Sequence, residues 1–184
     1  MPCVISGNIL FAIILGMMMR LFNVSVLFIL TTLVLAGCSQ LDSNTILGEA
    51  VGEIDNQPIE QATAHLADKT VRTYSPAYGN QIEYFAPDGR AYLWFPGNSR
   101  PVPSRWRLEH FVFRYKICFQ YPNSSYDAVT KEPGGKWECQ YLYRYAGRIV
   151  EITKTDIFNL ASGRVPYKLP PQNLDFATLQ ARIK

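Results

Sequence analysis

Along the second half of the chain apolar and polar residues alternate with a period of two, the spacing that sends successive side chains to opposite faces of a strand. In QIEYFAPDGRAYLWFP, residues 81–96, two such runs flank Pro87-Asp88-Gly89. Proline presets φ for a turn, aspartate bonds the backbone ahead of it, and glycine accepts the left-handed conformation that closes a hairpin. Paired strands are therefore predicted at 81–85 and 90–95. Pro96, Pro101 and Pro103 then mark a loop, since a central strand does not tolerate proline. In SRWRLEHFVFRYKICFQYP, Trp106 and Leu108 share one face and Arg105 and Arg107 the other. The alternation fails over 109–114, read as a turn or bulge, and resumes at Tyr115, Ile117 and Phe119. Breakers fill 121–136. Beyond them Trp137, Cys139, Tyr141, Tyr143 and Tyr145 fall on one face of a further strand, which a turn at Ala146-Gly147 ends. Strand-like runs follow at 148–152 and 157–160.

Helical spacing is confined to two places. In residues 57–70 Pro58 sits near a first turn, with Ile59, Ala62 and Leu66 on one side. A weaker pattern covers 174–183. Most of the tyrosine, phenylalanine and tryptophan lies between Tyr74 and Tyr145, as β-structure favours. The pattern predicts a mainly β fold: a small antiparallel meander curled into a half-barrel or folded as a sandwich, a lipocalin-like form among the options. A short N-terminal helix lies against one face and a weak C-terminal helix follows.

Before Cys38 nothing alternates. Met17-Met18-Met19-Arg20 is a short cationic head, and LFNVSVLFILTTLVLAG after it is an apolar core, the layout of a secretory signal. It ends on Leu35-Ala36-Gly37-Cys38, where small residues let a peptidase approach and the cysteine offers a thiol. This resembles the bacterial lipoprotein signal, the lipobox. The resemblance implies cleavage before Cys38, acylation of that residue, and a membrane partner reached through its acyl chains. More than one chain makes a stable tether. An uncleaved membrane span is the competing reading, but a span needs neither Gly-Cys at its exit nor a polar segment straight after it. The organisation expected is a signal peptide over 1–37 with the true start at 17–19, a lipidated cysteine and flexible tether over 38–57, and one β-rich domain over 58–184. Ser39, where an aspartate would favour inner-membrane retention, points to the outer membrane facing the periplasm.

Removing 1–37 leaves 17 Lys and Arg against 15 Asp and Glu, a balance that makes no electrostatic case for nucleic acid. Arg105, Arg107, Arg114 and Lys116 do interleave with aromatics, as in a single-strand stacking platform, but charged positions on the wet face of a strand pair are the preferred reading, given a secreted address. With Cys3 in the discarded segment and Cys38 acylated, Cys118 and Cys139 remain. In an oxidising compartment that pair is expected to be a disulfide. No C-x-x-C or histidine cluster suggests a metal, and no motif implies a cofactor.

Tyr84-Phe85-x-x-Asp88-Gly89, Trp94, Trp106 with Cys118, and then Trp137-x-Cys139 resemble a family of small secreted alphaproteobacterial proteins, the domain-of-unknown-function family numbered 995, over about 66–162. Ser104 stands where that family often has glycine. The resemblance implies an address and an architecture and no catalytic residues.

No nucleophile elbow, His-Glu-x-x-His or phosphate loop is present. Of the two histidines, His65 reads as an exposed helix residue. His110, beside Glu109, is the better base for a hydrolase, and paired carboxylates could be drawn from Glu83, Asp88, Glu109, Glu138 or Glu151. The expectation is a non-catalytic, lipid-anchored envelope domain that binds a lipid, glycan or protein of the envelope, or supports it. A secreted hydrolase inhibitor or a small hydrolase using His110 is the alternative. Aromatics exceed what one small core needs, and Tyr78, Tyr92, Trp94, Tyr126, Tyr141 and Tyr143 cannot all be buried. The binding surface expected from them comprises Tyr92, Trp94, Trp106, Trp137, Tyr141 and Tyr143.

Overall fold

The structure, a computed structural model, describes residues 53–183. Cys38, the lipobox and the segment 38–52 lie outside the described residues. The described residues belong to one compact unit, Asp42–Lys184.

A single antiparallel sheet of seven strands forms the domain: β1 (Lys69–Ser75), β2 (Gly79–Phe85), β3 (Arg90–Trp94), β4 (Val102–Phe111), β5 (Arg114–Gln120), β6 (Trp137–Tyr141) and β7 (Ile149–Lys154), in spatial order β6-β5-β4-β3-β2-β1-β7. The first six make a meander. Among the described residues the helices are short: α1 (Ile59–Ala64), α2 (Leu142–Ala146) and α3 (Phe176–Gln180), with a 3₁₀ turn at Leu160–Ser162.

The sheet curls into a half-barrel, and two observations fix the curl. Phe85 on β2 lies 5.9 Å from Phe119 on β5, centroid to centroid, and 6.1 Å from Tyr145 on α2. In a flat sheet three strand spacings would separate β2 from β5 by about 14 Å. Moreover, the chain passes from one edge strand, β6, to the other, β7, with only α2, Gly147 and Arg148 between them. Five helical residues advance about 7–8 Å, so the two edges lie close. Arg148 donates to Gln140 Oε1 at 2.6 Å across this seam.

Curling gives the sheet two cores. The concave face holds Val71, Phe85, Trp106, Leu108, Ile117 and Phe119, closed by Leu142 and Tyr145 of α2 and by Ala62 and Leu66 at α1. On the convex face of β1–β3, Ile82, Tyr84, Tyr92 and Trp94 are covered by the C-terminal segment through Phe158, Leu160, Leu169 and Leu179. That cover is pinned by an ion pair between a buried arginine and a half-buried glutamate: Arg72, 6 % exposed, donates to Glu151 and to Asn173 Oδ1 at 2.6 Å, while Glu151 accepts the Phe176 N–H at 2.9 Å.

The alternation anticipates the β2–β3 hairpin to within a residue or two, the 121–136 loop, and the pairing of β4 with β5, but the turn read over 109–114 is only Val112-Phe113, since Glu109 to Phe111 and Arg114 remain in paired strand. Elsewhere the structure departs from it. The first helix stops at Ala64, because Asp68 takes a positive φ of 56° and β1 begins one residue later. Residues 54 and 55, expected to lie in a flexible tether, are packed: Ile54 is buried in the concave core, and Asp55 accepts the Tyr115 N–H at 2.8 Å. Pro103 lies inside β4, at a point where β4 has β3 as its neighbour but β5 joins only from Arg105. Its missing N–H therefore costs no ladder bond on that side. Residues 142–146 are helical, with Leu142, Tyr145 and Ala146 inward at helical spacing. Ile157 to Leu160 is turn and 3₁₀ rather than strand.

Candidate functional site

Where the concave face opens, the 121–136 loop folds over the sheet and borders a half-open cavity of about 360 Å³. Its wall is made by alternate residues of three adjacent strands: Gln81 of β2, Leu93 of β3 and Val102 of β4, on one face because Leu93 pairs with Val102 and, on its other side, with Glu83. The loop supplies Tyr121, Ser125, Tyr126 and Asp127, and Glu132 and Glu138 complete an acidic rim. Tyr78 and Phe95, edge to face at 6.4 Å, stand at one side.

The loop is held by its own polar groups. Asp127 Oδ1 accepts the N–H of Val129 at 2.7 Å and of Thr130 at 3.1 Å, and its Oδ2 accepts the Tyr78 hydroxyl at 3.0 Å. Burial raises the Asp127 pKa, but these donors outweigh it and leave the carboxyl below its ordinary value. Gly134 and Gly135 sit where no side chain fits. A Cβ on Gly134 would lie 2.2 Å from the Pro122 carbonyl oxygen, and Gly135 has φ +101°.

Beneath the cavity lies a buried acid. Glu83 is 6 % exposed, and burial pushes its pKa up to about 8 against the pull of a hydrogen bond from Tyr121. At neutral pH it is the uncharged acid. Its Oε1 and the nearby Tyr145 hydroxyl have no hydrogen-bond partner among the described residues. Tyr121, which lines the cavity and bonds Glu83, joins the two layers. Its own phenol is raised well above the ordinary range by burial and then by Glu83. The site thus combines aromatic faces, an amide at Gln81, hydroxyls and three carboxylates, with no Lys, Arg or His in its lining.

The binding surface expected from the sequence is divided by the structure. Trp94, Trp106 and Tyr92 are core residues, with exposures of 0 %, 3 % and 9 %. Trp94 donates to the Tyr167 carbonyl and Trp106 to that of Ala86, each at 3.1 Å. Trp94 is buried because the C-terminal segment crosses a face that alternation alone leaves open to water. Trp137, Tyr141 and Tyr143 do gather on the convex side at β6, where Tyr141 stacks on Tyr143 at 5.6 Å and Arg107 lies 4.0 Å over Trp137.

Cys118 and Cys139 are direct partners across β5 and β6, and their sulfurs are bonded at 2.05 Å. Glu109 lies close to these sulfurs, which, being bonded to one another, offer no thiolate to a metal. Glu109 and His110 point to opposite sides of β4. Glu109 pairs with Arg107 at 2.5 Å and His110 packs edge-on to Tyr115 at 5.1 Å. The other carboxylates considered for a pair are scattered, with Asp88 bound to Arg90 in its turn and Glu151 to Arg72. His65 is exposed and bonds Gln57 Oε1 at 2.9 Å.

The cavity was not legible as a site. Glu83 was only one of several interchangeable carboxylates, and Tyr78 and Tyr126 were merely surplus aromatics. The signal that could have singled out Glu83 is its place between Ile82 and Tyr84 in a strand covered on both faces. Among the described residues no helix is long and apolar enough to cross a membrane. No protein-family model, curated protein or solved structure matches the chain.

Proposed function

We propose that this chain is a lipid-anchored protein of the bacterial cell envelope, tethered through Cys38 to the outer membrane, whose non-catalytic β-domain binds a small neutral or amine-bearing saccharide of the envelope. The observation that carries the reading is the cavity beneath the 121–136 loop. Its size suits a small ligand. Tyrosine and phenylalanine faces beside amide, hydroxyl and carboxylate groups suit a polyol, which presents apolar C–H faces and a ring of hydroxyls.

Charge selects among lipid, glycan and protein. Asp127, Glu132 and Glu138 with no lining cation repel phosphate and carboxylate headgroups and admit neutral or cationic ones. The Cys118–Cys139 disulfide fits an oxidising compartment outside the cytoplasm. The resemblance to family 995 brings no activity, so the reading rests on the cavity.

Calorimetric titration with N-acetylated and free amino-sugar oligomers, with anionic phospholipid headgroups as controls, tests it. Saccharide binding weakened about five- to tenfold in Gln81→Ala, for one lost hydrogen bond of about 1 kcal/mol, is the expected result. Heat from the headgroups alone, or none from any saccharide, overturns the reading. The anchor is tested by intact mass of protein extracted from membranes, expected to correspond to a chain beginning at Cys38 plus acyl groups.

A further inference from the structure

The β4–β5 hairpin ends in the largest run of exposed apolar side chains among the described residues: Phe111 is 47 %, Val112 64 % and Phe113 84 % exposed. Phe111 pairs with Arg114, so Val112 and Phe113 alone form the turn. Two-residue turns of this kind favour glycine or asparagine. Here a β-branched valine takes φ 59°, a conformation such residues rarely adopt. Three bulky apolar residues at an exposed tip, one of them strained, are unfavourable in water and need a separate account.

The tip wears a cationic collar. Lys116 lies 3.6 Å over the Phe111 ring, Arg114 5.1 Å over Tyr143, and Arg144 5.9 Å over Tyr141. Of the nearby acids, Glu109 pairs with Arg107, while Asp55 accepts the Tyr115 N–H and keeps its charge, one acid against the three cations Arg114, Lys116 and Arg144. Apolar side chains at the apex, tyrosines behind them and, around the rim, cations with no salt bridge among the described residues match the layers of an anionic bilayer, acyl chains, interface and headgroups in turn.

The described chain also begins beside this tip, since Asp55 and Gln57 both bond Tyr115, whose hydroxyl donates to the Gln57 carbonyl at 2.7 Å. A tether from the N-terminal side therefore leaves the domain next to the hairpin. We infer that Phe111–Phe113 form a membrane-inserting wedge that seats the domain on an anionic lipid surface, held by Arg114, Lys116 and Arg144. This contact is additional to the proposed anchor at Cys38 and separate from the acidic cavity.

The test uses the full chain reconstituted in phosphatidylcholine vesicles with and without phosphatidylglycerol, comparing Phe113→Trp with the native sequence. Emission from the added tryptophan should shift to the blue and be quenched by lipids brominated on their acyl chains when phosphatidylglycerol is present. Arg114→Glu with Lys116→Glu should leave roughly half of that quenching or less, with near-ultraviolet dichroism unchanged. Failure of cleavage at Cys38 leaves this readout intact, because the full chain stays on the vesicle either way. Emission at the solvent wavelength in both vesicles overturns the wedge. So does shielding that needs no lipid and rises with protein concentration, which would assign the tip to a second copy of the chain.

Discussion

Replacing Glu83 by glutamine keeps the shape of the buried side chain and removes its titration, which makes a sharp prediction about pH. The folded carboxyl holds its proton up to about pH 8, against an ordinary value of 4.5. Across that window the native state binds one more proton than the unfolded chain, so stability falls as pH rises. The slope is at most about 1.36 kcal/mol per pH unit, and the whole span amounts to about 4–5 kcal/mol. Against the 5–15 kcal/mol typical of a folded domain, that is a large share. Asp127 and Asp175 are held below the ordinary carboxylate range, Asp127 against the opposing effect of burial and Asp175 by its bonds with Thr178. Their stabilisation is lost only as pH falls below that range, and equally in both proteins. Urea denaturation of the Asp42–Lys184 unit from pH 5 to pH 9 measures the effect. The native sequence should lose several kcal/mol over the range while Glu83→Gln stays nearly flat, the two curves diverging towards high pH. Parallel curves would refute the burial of a neutral Glu83 and the reasoning drawn from it.

Three further outcomes follow from the packing. Reduction of Cys118–Cys139, which closes a loop with a sequence separation of 21, should cost about 3 kcal/mol and raise hydrogen exchange first in the edge strand β6; an unchanged denaturation midpoint would contradict this. Glu151→Ala leaves the Arg72 guanidinium buried without its carboxylate and should cost about 3–5 kcal/mol, with proteolysis of the 157–183 segment as the readout; protection as in the native chain would count against the pin. Trp94→Ala opens a cavity between β3 and the C-terminal cover and should cost about 3–5 kcal/mol in thermal or urea unfolding, whereas a surface tryptophan would cost little.

What the sequence made legible, and what it hid, follow from the same physics. Alternation reports one buried and one wet face, so it located Trp106 against Arg107 and the hairpin at Pro87-Asp88-Gly89, where that condition holds. It placed β2 but not its burial, which is nearly continuous from Gly79 to Phe85. There the polar position, Glu83, points into the half-barrel, and the position read as an exposed surface, Trp94 on β3, lies under residues far along the chain. The strand β1 was hidden because Lys69, Thr70 and Arg72 look polar, although Thr70 and Arg72 are buried by the ion pair and the C-terminal segment. At 142–146 a run of alternating tyrosines imitates a strand, and only the spacing of Leu142, Tyr145 and Ala146 betrays the helix. The cavity depends on curl and on a loop folding back, neither of which a period of two encodes.

The most direct test of the account is to follow the backbone amide resonances of the folded unit while titrating an N-acetylated amino-sugar oligomer. Tryptophan emission would be a poor reporter, since Trp94 and Trp106 are in the cores and Trp137 lies on the convex side. The account predicts shifts concentrated at Tyr78, Gln81, Tyr121, Tyr126 and Asp127, with none at the Phe111–Phe113 tip. Shifts confined to the tip or to the convex face of β6, or no shift at saturating sugar, would contradict it.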